Sequence, residues 1–253
     1  MQIFYIIFFF ILGTVLGSFY NVVGWRLPIG ESIVTPPSHC PNCKHRLSAF
    51  DLIPILSYIF QKGKCRYCKK HIAWYYPVFE LFCGILFALC FLVFGLTPNL
   101  LKALTFVSML TIIMVSDFNY MIIPDEILLI FGALLALEIG IIDGYQKLIL
   151  ALINGLISFI VMYLLKKMGD FLFKKESMGG GDIKLMFVFG MVLGFPLAII
   201  SIFLGSVVGL PISLILIANK KEHIIPFGPF LGIGAIILLF ANIDFNTLIN
   251  LLK

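Results

Sequence analysis

Two aspartates stand where an apolar stretch of this chain meets a polar one. Asp182 lies in "MGGGDIK" (178–184), behind three glycines and just ahead of an apolar run from Leu185; Asp117 lies in "SDFNYMIIPDE" (116–126), just behind another. An ionised carboxylate beside hydrocarbon costs roughly 2.5 to 3.5 kcal/mol on insertion scales, so a chain that keeps one there pairs it or uses it. Two carboxylates brought together can divide the work of hydrolysis, one giving a proton while the other takes one. Taken alone, Asp182 also suits the N-cap of the helix that follows it, a position Asp favours. One Asp at each of two such borders favours the acid/base pair.

A second constellation is made of sulfur. "CPNC" supplies Cys40 and Cys43, and "CRYC" supplies Cys65 and Cys68, with 21 residues between the pairs. Four thiolates so arranged can close a tetrahedron around a structural Zn²⁺, at a spacing one residue beyond the usual ribbon range. His39, His45 and His71 stand nearby as substitutes, but the four cysteines already complete a ligand set. Disulfides are disfavoured in a cytoplasmic loop, where thiols stay reduced. A redox role is weaker still, because no strand-to-helix context accompanies either Cys-x-x-Cys. Cys83 and Cys90 fall inside an apolar run and read as small buried apolar side chains.

The elements that must position these groups are helices in a membrane. Over 253 residues the chain is 61% hydrophobic and only 12% charged, with a mean hydropathy of +1.09, far from the ~25% charged average of soluble domains. Long apolar runs occur at 2–20, 77–96, 101–116, 126–142, 148–165, 183–196, 197–218 and 226–243. The expected fold is therefore an all-α polytopic membrane protein of about eight transmembrane helices, since about 20 residues span a bilayer. The sixth run is short and is parted from the seventh only by "GFP". The division expected is a first transmembrane helix at 1–20, a cytoplasmic zinc-binding loop domain at 21–76, ribbon-like and inserted between helices 1 and 2, and a membrane core at 77–253 that carries both aspartates. The 21–76 segment is too poor in apolar residues to hold a core without a metal.

Charge sets the orientation. Eight Lys and Arg fall in 21–76, five in 166–184 and two in 218–225, leaving Lys102, Lys147 and Lys253 for the other side. The positive-inside rule makes these three charged segments cytoplasmic and both termini external. Asp117, placed after the third span, and Asp182, placed before the sixth, then lie at one cytoplasmic border. The first run has no basic residue ahead of it and reads as a retained anchor. The net charge of +5 is accounted for by this topology and by anionic lipid, so no nucleic-acid partner is expected. A transporter relaying protons through the membrane would want acids matched at the opposite face.

Other residues carry weaker signals. "GSFYNVVGWRLP" (17–28) takes Asn21 and Arg26 out of the first run, where Arg26 and Trp25 also suit an interfacial anchor. Glu80 enters the second run, either as a favourable charge at a helix N-terminus or as part of a polar site under the zinc domain. Glu138 is expected to snorkel outward and receives no role. Gly179, Gly180 and Gly181 are not a phosphate loop, because no Gly-Lys-Ser/Thr and no strand go with them. Their use is to let backbones approach closely, as a peptide substrate requires.

In these segments the chain resembles the type IV prepilin peptidases, bifunctional leader peptidases and N-methyltransferases of bacterial membranes, in the variety with a cysteine-rich cytoplasmic domain. "GSFYNVVGWRLP", "CPNC", "CRYC", "YYPVFEL", "SDFNYMIIPDE" and "GGGDIK" appear in the family's order over nearly the whole chain. The GxGD element maps onto Gly179, Gly181 and Asp182, and the other catalytic aspartate, seven residues before Pro124, is Asp117. Relatives often carry a second acid where this chain has Asn119, which leaves Asp117 as the residue able to ionise. The resemblance implies an aspartic endopeptidase of the cytoplasmic (plasma) membrane that removes a leader from prepilins or pseudopilins. It also implies methylation of the new amino terminus by S-adenosylmethionine. It places substrate-binding loops at Gly179, Gly180, Gly181, Lys184, Pro124 and Asp125, and by analogy a methyltransferase region at Asn21, Arg26 and Glu80.

Overall fold

The computed structural model describes residues 1–218 and 226–242. In chain order its helices are α1 (Gln2–Arg26), the short α2 (Leu56–Phe60), α3 (Tyr75–Phe94), α4 (Pro98–Tyr120), α5 (Asp125–Asp143), α6 (Tyr145–Phe173), α7 (Gly180–Leu193), α8 (Phe195–Ala218) and α9 (Gly228–Ala241). Apart from the short α2, one helix corresponds to each of the eight apolar runs, from 14 residues in α7 and α9 to 29 in α6. Among the described residues, α1 with the turn after it, α3, α4, α6 and α8 are long and apolar enough to cross a membrane, and α9 is a shorter apolar helix. α7 has only 14 residues, and α5 carries the acids Asp125, Glu126, Glu138 and Asp143 within its 19. Lys220, Lys221 and Lys253, counted above for orientation, lie outside the described residues.

Helix ends depart from the apolar runs wherever polar side chains serve the helix. α4 runs past the apolar border to Tyr120, so Asp117 sits in its last turn rather than after it. Asn119 helps by donating to the Val115 carbonyl at 2.6 Å. α6 extends to Phe173 and takes Lys166 and Lys167 out of the expected loop, where Lys166 pairs with Glu176 at 3.0 Å. α1 likewise includes both Asn21 and Arg26. Between the sixth and seventh runs the break is Gly194, at φ 86°, a conformation open to glycine at little cost.

The chain divides into two compact units, Met1–Leu96 and Thr97–Lys253. In the first, α1 and α3 touch backbone to backbone: a Cβ on Gly13 would meet the Cys83 carbonyl at 2.7 Å, and one on Gly84 would meet Thr14 Cγ2 at 2.6 Å. Glycine at such crossings is how membrane helices gain dispersion contacts when hydrocarbon offers no hydrophobic drive. Phe9 and Phe91 stack at 5.3 Å on the same interface, and Cys83 and Cys90 are wholly buried in it.

In the second unit α4 is the buried centre, solvent-excluded almost without break from Thr105 to Asp117. Glu138 does not snorkel outward: it is buried, and its Oε1 accepts from Thr105 Oγ1 at 2.7 Å. Nearby, Lys102 pairs with Asp143 at 2.5 Å.

Candidate active site

α4 ends at Met121, whose left-handed backbone (φ 57°) returns its N–H to the Asp117 carbonyl. Ser116 Oγ donates to the Ile122 carbonyl, tying the short 121–124 connection back onto α4, and Pro124 caps α5 in extended conformation. This connection is met by the N-terminus of α7. A Cβ on Gly181 would stand 2.7 Å from Ile123 Cβ, so the absence of a side chain at Gly181 is what lets the glycine motif rest against the Asp117 motif. Gly180 faces open space.

The two carboxylates come together there. Asp117 and Asp182 are 6% and 8% exposed, on the two segments that meet at Gly181 and Ile123. Asp182 is the third residue of α7, in its first turn, and so lies at the favourable positive end of the helix. Asp117 Oδ2 accepts the Gly228 N–H at 2.9 Å, from the first residue of α9. A Cβ on Gly228 would lie 2.6 Å from the same oxygen. Gly228 and Ile123 were not singled out above; a Pro-Gly-Pro rhythm in "PFGPF" (226–230) is the only mark the sequence gives the former. Lys184 reaches across to Asp125, its Nζ 2.7 and 2.6 Å from the two carboxylate oxygens.

In the first unit the four cysteine sulfurs lie within 4.8 Å of one another, with Cys40 and Cys68 Sγ 3.8 Å apart. Tetrahedral ligands at the ~2.3 Å zinc–sulfur distance stand about 3.8 Å from each other, so the residues fit the metal. The two loops repeat one hydrogen-bond pattern. Cys40 N–H donates to the His45 carbonyl and Lys44 N–H to the Cys40 carbonyl; Cys65 N–H donates to the Lys70 carbonyl and Lys69 N–H to the Cys65 carbonyl. Lys44 and Lys69 share a positive φ of 58° and 60°. Burial opposes ionisation of the Cys40 thiol, but the Cys43 and Asn42 backbone N–H groups outweigh it and bring the thiol down to about 7. His39, His45 and His71 are outside the cluster.

Asn21 and Glu80 share one patch, and Arg26 leaves it. Asn21 Nδ2 donates to the Tyr76 carbonyl at 3.1 Å, one helical turn from Glu80, and its buried Oδ1 has no partner among the described residues. Glu80 Oε2 accepts the Ile55 N–H at 2.7 Å and a bond from Ser18. Ile55 is held at φ 61°, ψ −53°, a costly conformation for a β-branched residue. Arg26 turns to the loop instead, donating to the Ser32 and Pro36 carbonyls at 3.0 and 2.7 Å.

Apolar helices long enough to cross a bilayer, two buried carboxylates and a four-cysteine cluster define a membrane protein with a metal-type cysteine site. Family comparison agrees: residues 11–94 match the bacterial peptidase A24 N-terminal domain and residues 104–214 match the type IV leader peptidase family. A protein of Bacillus subtilis strain 168 named prepilin leader peptidase/N-methyltransferase is 36% identical over 233 residues, covering 90% of this chain and 91% of that one. Proteins of the same name from Aeromonas salmonicida strain A449 and Neisseria gonorrhoeae are 33% and 30% identical, each covering 92% of this chain and 90% and 89% of their own. No solved structure matches the chain. The chain belongs to the type IV prepilin leader peptidase family.

Proposed function

We propose that the chain cleaves the leader from type IV prepilins or pseudopilins with Asp117 and Asp182 as the catalytic pair, and then methylates the new amino terminus from S-adenosylmethionine. The observation that carries the first activity is the pair itself: two buried carboxylates on segments that Gly181 and Ile123 bring into contact, Asp117 held by the Gly228 N–H and Asp182 in the first turn of α7. Adjacent carboxylates of this kind share a proton. One polarises the scissile carbonyl while the other takes a proton from the attacking water, and no nucleophilic side chain is required. Eight membrane spans with the Lys- and Arg-rich loops inside put both carboxylates at the cytoplasmic face of the plasma membrane.

Zinc, held by Cys40, Cys43, Cys65 and Cys68, supplies structure to the loop domain rather than chemistry. For methyl transfer the patch at Asn21 and Glu80 is the candidate, because Asn21 keeps a buried acceptor without a partner among the described residues. Arg26 acts there at one remove, by fixing the loop at 32–36. The test is to incubate the purified protein with a prepilin and S-adenosylmethionine and weigh the products. A shortened, methylated pilin is expected; an uncut prepilin rules out the peptidase, and a cut but unmethylated one rules out the transferase.

A further inference from the structure

The loop domain carries apolar side chains on its outside. Between Ser48 and Gln61, Phe50 and Phe60 are 75% and 80% exposed, and Leu52, Ile53, Leu56 and Ile59 are exposed as well. We propose that this stretch is seated in the headgroup region of an anionic bilayer, beside the helices that carry the domain. This requires only that α1 and α3 span a membrane, whatever the chain cleaves.

The shape of the stretch is fixed from within. Asp51 accepts from the Ser48 N–H and hydroxyl at 3.0 and 2.6 Å and from Gln61 Nε2 at 3.0 Å, so one carboxylate ties both ends together. Between those ends the 3-10 turn at Ala49–Leu52 sets Phe50 and Ile53 on one side, three residues apart. α2 sets Leu56, Ile59 and Phe60 on one side, at the i, i+3 and i+4 positions. Soluble surfaces rarely leave such side chains bare together. A lipid interface covers them, at a depth of about 5–10 Å.

Position and charge single out lipid as the cover. The Ile55 N–H donates to Glu80 Oε2 at 2.7 Å, and Glu80 lies in the second turn of α3. Helical side chains lean toward the N-terminus, so the stretch stands beside the opening turns of an apolar spanning helix rather than out in water. Trp74, exposed just ahead of α3, marks the same level, where Trp is the usual interfacial residue. Residues 40–71 hold seven Lys and Arg against one acid, Asp51, and all seven cations are exposed. Lys44 and Arg46 precede the apolar stretch; Lys62, Lys64 and Arg66 follow it directly. The balance stays positive even after four thiolates around Zn²⁺ add two negative charges. Apolar side chains flanked by cations are the two signals that together hold a segment on anionic lipid.

The test uses the full chain in vesicles of phosphatidylcholine alone or of equal parts phosphatidylcholine and phosphatidylglycerol, with and without a prepilin. A diazirine side chain takes the place of Phe60, of Phe50 in a second variant, or of the exposed Asn42 on the first cysteine loop as control. Adducts are read by mass spectrometry after irradiation. Lipid adducts at 50 and 60 should exceed those at 42 severalfold and should rise with the anionic lipid. Lys62→Gln with Lys64→Gln, both exposed, should reduce that rise and leave the adducts in phosphatidylcholine as they were. A yield at 50 and 60 no greater than at 42, or one indifferent to lipid charge or to the Gln changes, overturns the proposal. So does capture of a second copy of the chain, or of the prepilin, in place of lipid.

Discussion

The Gly228 N–H donates to Asp117 Oδ2 at 2.9 Å across 111 residues of sequence. Asp117 closes α4, where the helix dipole disfavours an anion, yet the N-terminus of α9 delivers the opposite influence to the same oxygen. With α4 alone, Asp182 would be the better home for the shared negative charge; α9 offsets that difference. The position of Asp117 also depends on α9, because there is no room for a side chain at residue 228.

Gly228→Ala should therefore impair cleavage without unfolding the protein. Its Cβ would sit 2.6 Å from Oδ2, so the carboxylate must swing away, and a displacement of about 1 Å at a reacting group costs on the order of 10²-fold in rate. Cleavage followed by mass spectrometry should show that loss while zinc content stays at the wild-type level. Full activity would mean that Asp117 does not need this position.

Adjacent glycines of one motif should respond in opposite ways. Gly180→Ala enters open space in the first turn of α7 and should be neutral or stabilising, by up to about 1 kcal/mol. Gly181→Ala drives a methyl against Ile123 and should cost about 1–3 kcal/mol, as overpacking does, with cleavage falling as the two motifs part. Thermal unfolding in detergent and prepilin cleavage of both variants measure this, and equal behaviour of the two would contradict the contact.

The two activities should separate by residue. Asp117→Asn or Asp182→Asn keeps shape but cannot pass a proton, so cleavage should fall by ~10²-fold to 10⁴-fold. Methylation of a pilin supplied already cut needs neither carboxylate and should persist. Cys40→Ser with Cys43→Ser should lower methylation first and leave part of the cleavage. Mass spectrometry of full-length and pre-cut pilins reads both, and loss of methylation in both Asp variants would show that the sites are not independent.

Zinc should be present at one ion per chain and should bind more weakly in acid. Without metal the Cys40 and Cys43 thiols share their protons unequally, Cys40 brought down to about 7 and Cys43 pushed up to about 11, so protons compete with the metal throughout this range and more strongly as pH falls, the usual direction for a thiolate site. Competition with a chromophoric chelator between about pH 8 and pH 6 should show affinity falling toward the acid end. A flat profile would point to other ligands.

Much of this was legible because both signals are short-range or compositional. Eight apolar runs became eight helices, five of them long and apolar enough to cross a bilayer, since a stretch of Leu, Ile and Phe has few alternatives. Cys40, Cys43, Cys65 and Cys68 came together because their spacing leaves one compact solution. Helix ends were less legible: Asn119 and Lys166 are polar in sequence but serve their own helices in the fold, which moved Asp117 into α4 and shortened the polar connection before Gly179. The Gly228 contact was not legible at all. It pairs one backbone N–H with one carboxylate across four intervening helices, and neither periodicity nor composition records such a meeting.

The twin hydrogen-bond pattern of the cysteine loops bears on how the protein is made. Each loop is a half-site closed by its own backbone, so neither waits for the other to take shape. The first is synthesised directly after α1 and the second about 25 residues later, roughly one to five seconds at ordinary ribosome speeds. On the zinc reading proposed above, metal capture falls once both loops are made, after α1 and before α3 has left the ribosome, and it fixes the spacing between two helices that must then meet through bare glycine. A Cys65→Ser chain arrested at that stage should carry an inserted α1 and no zinc.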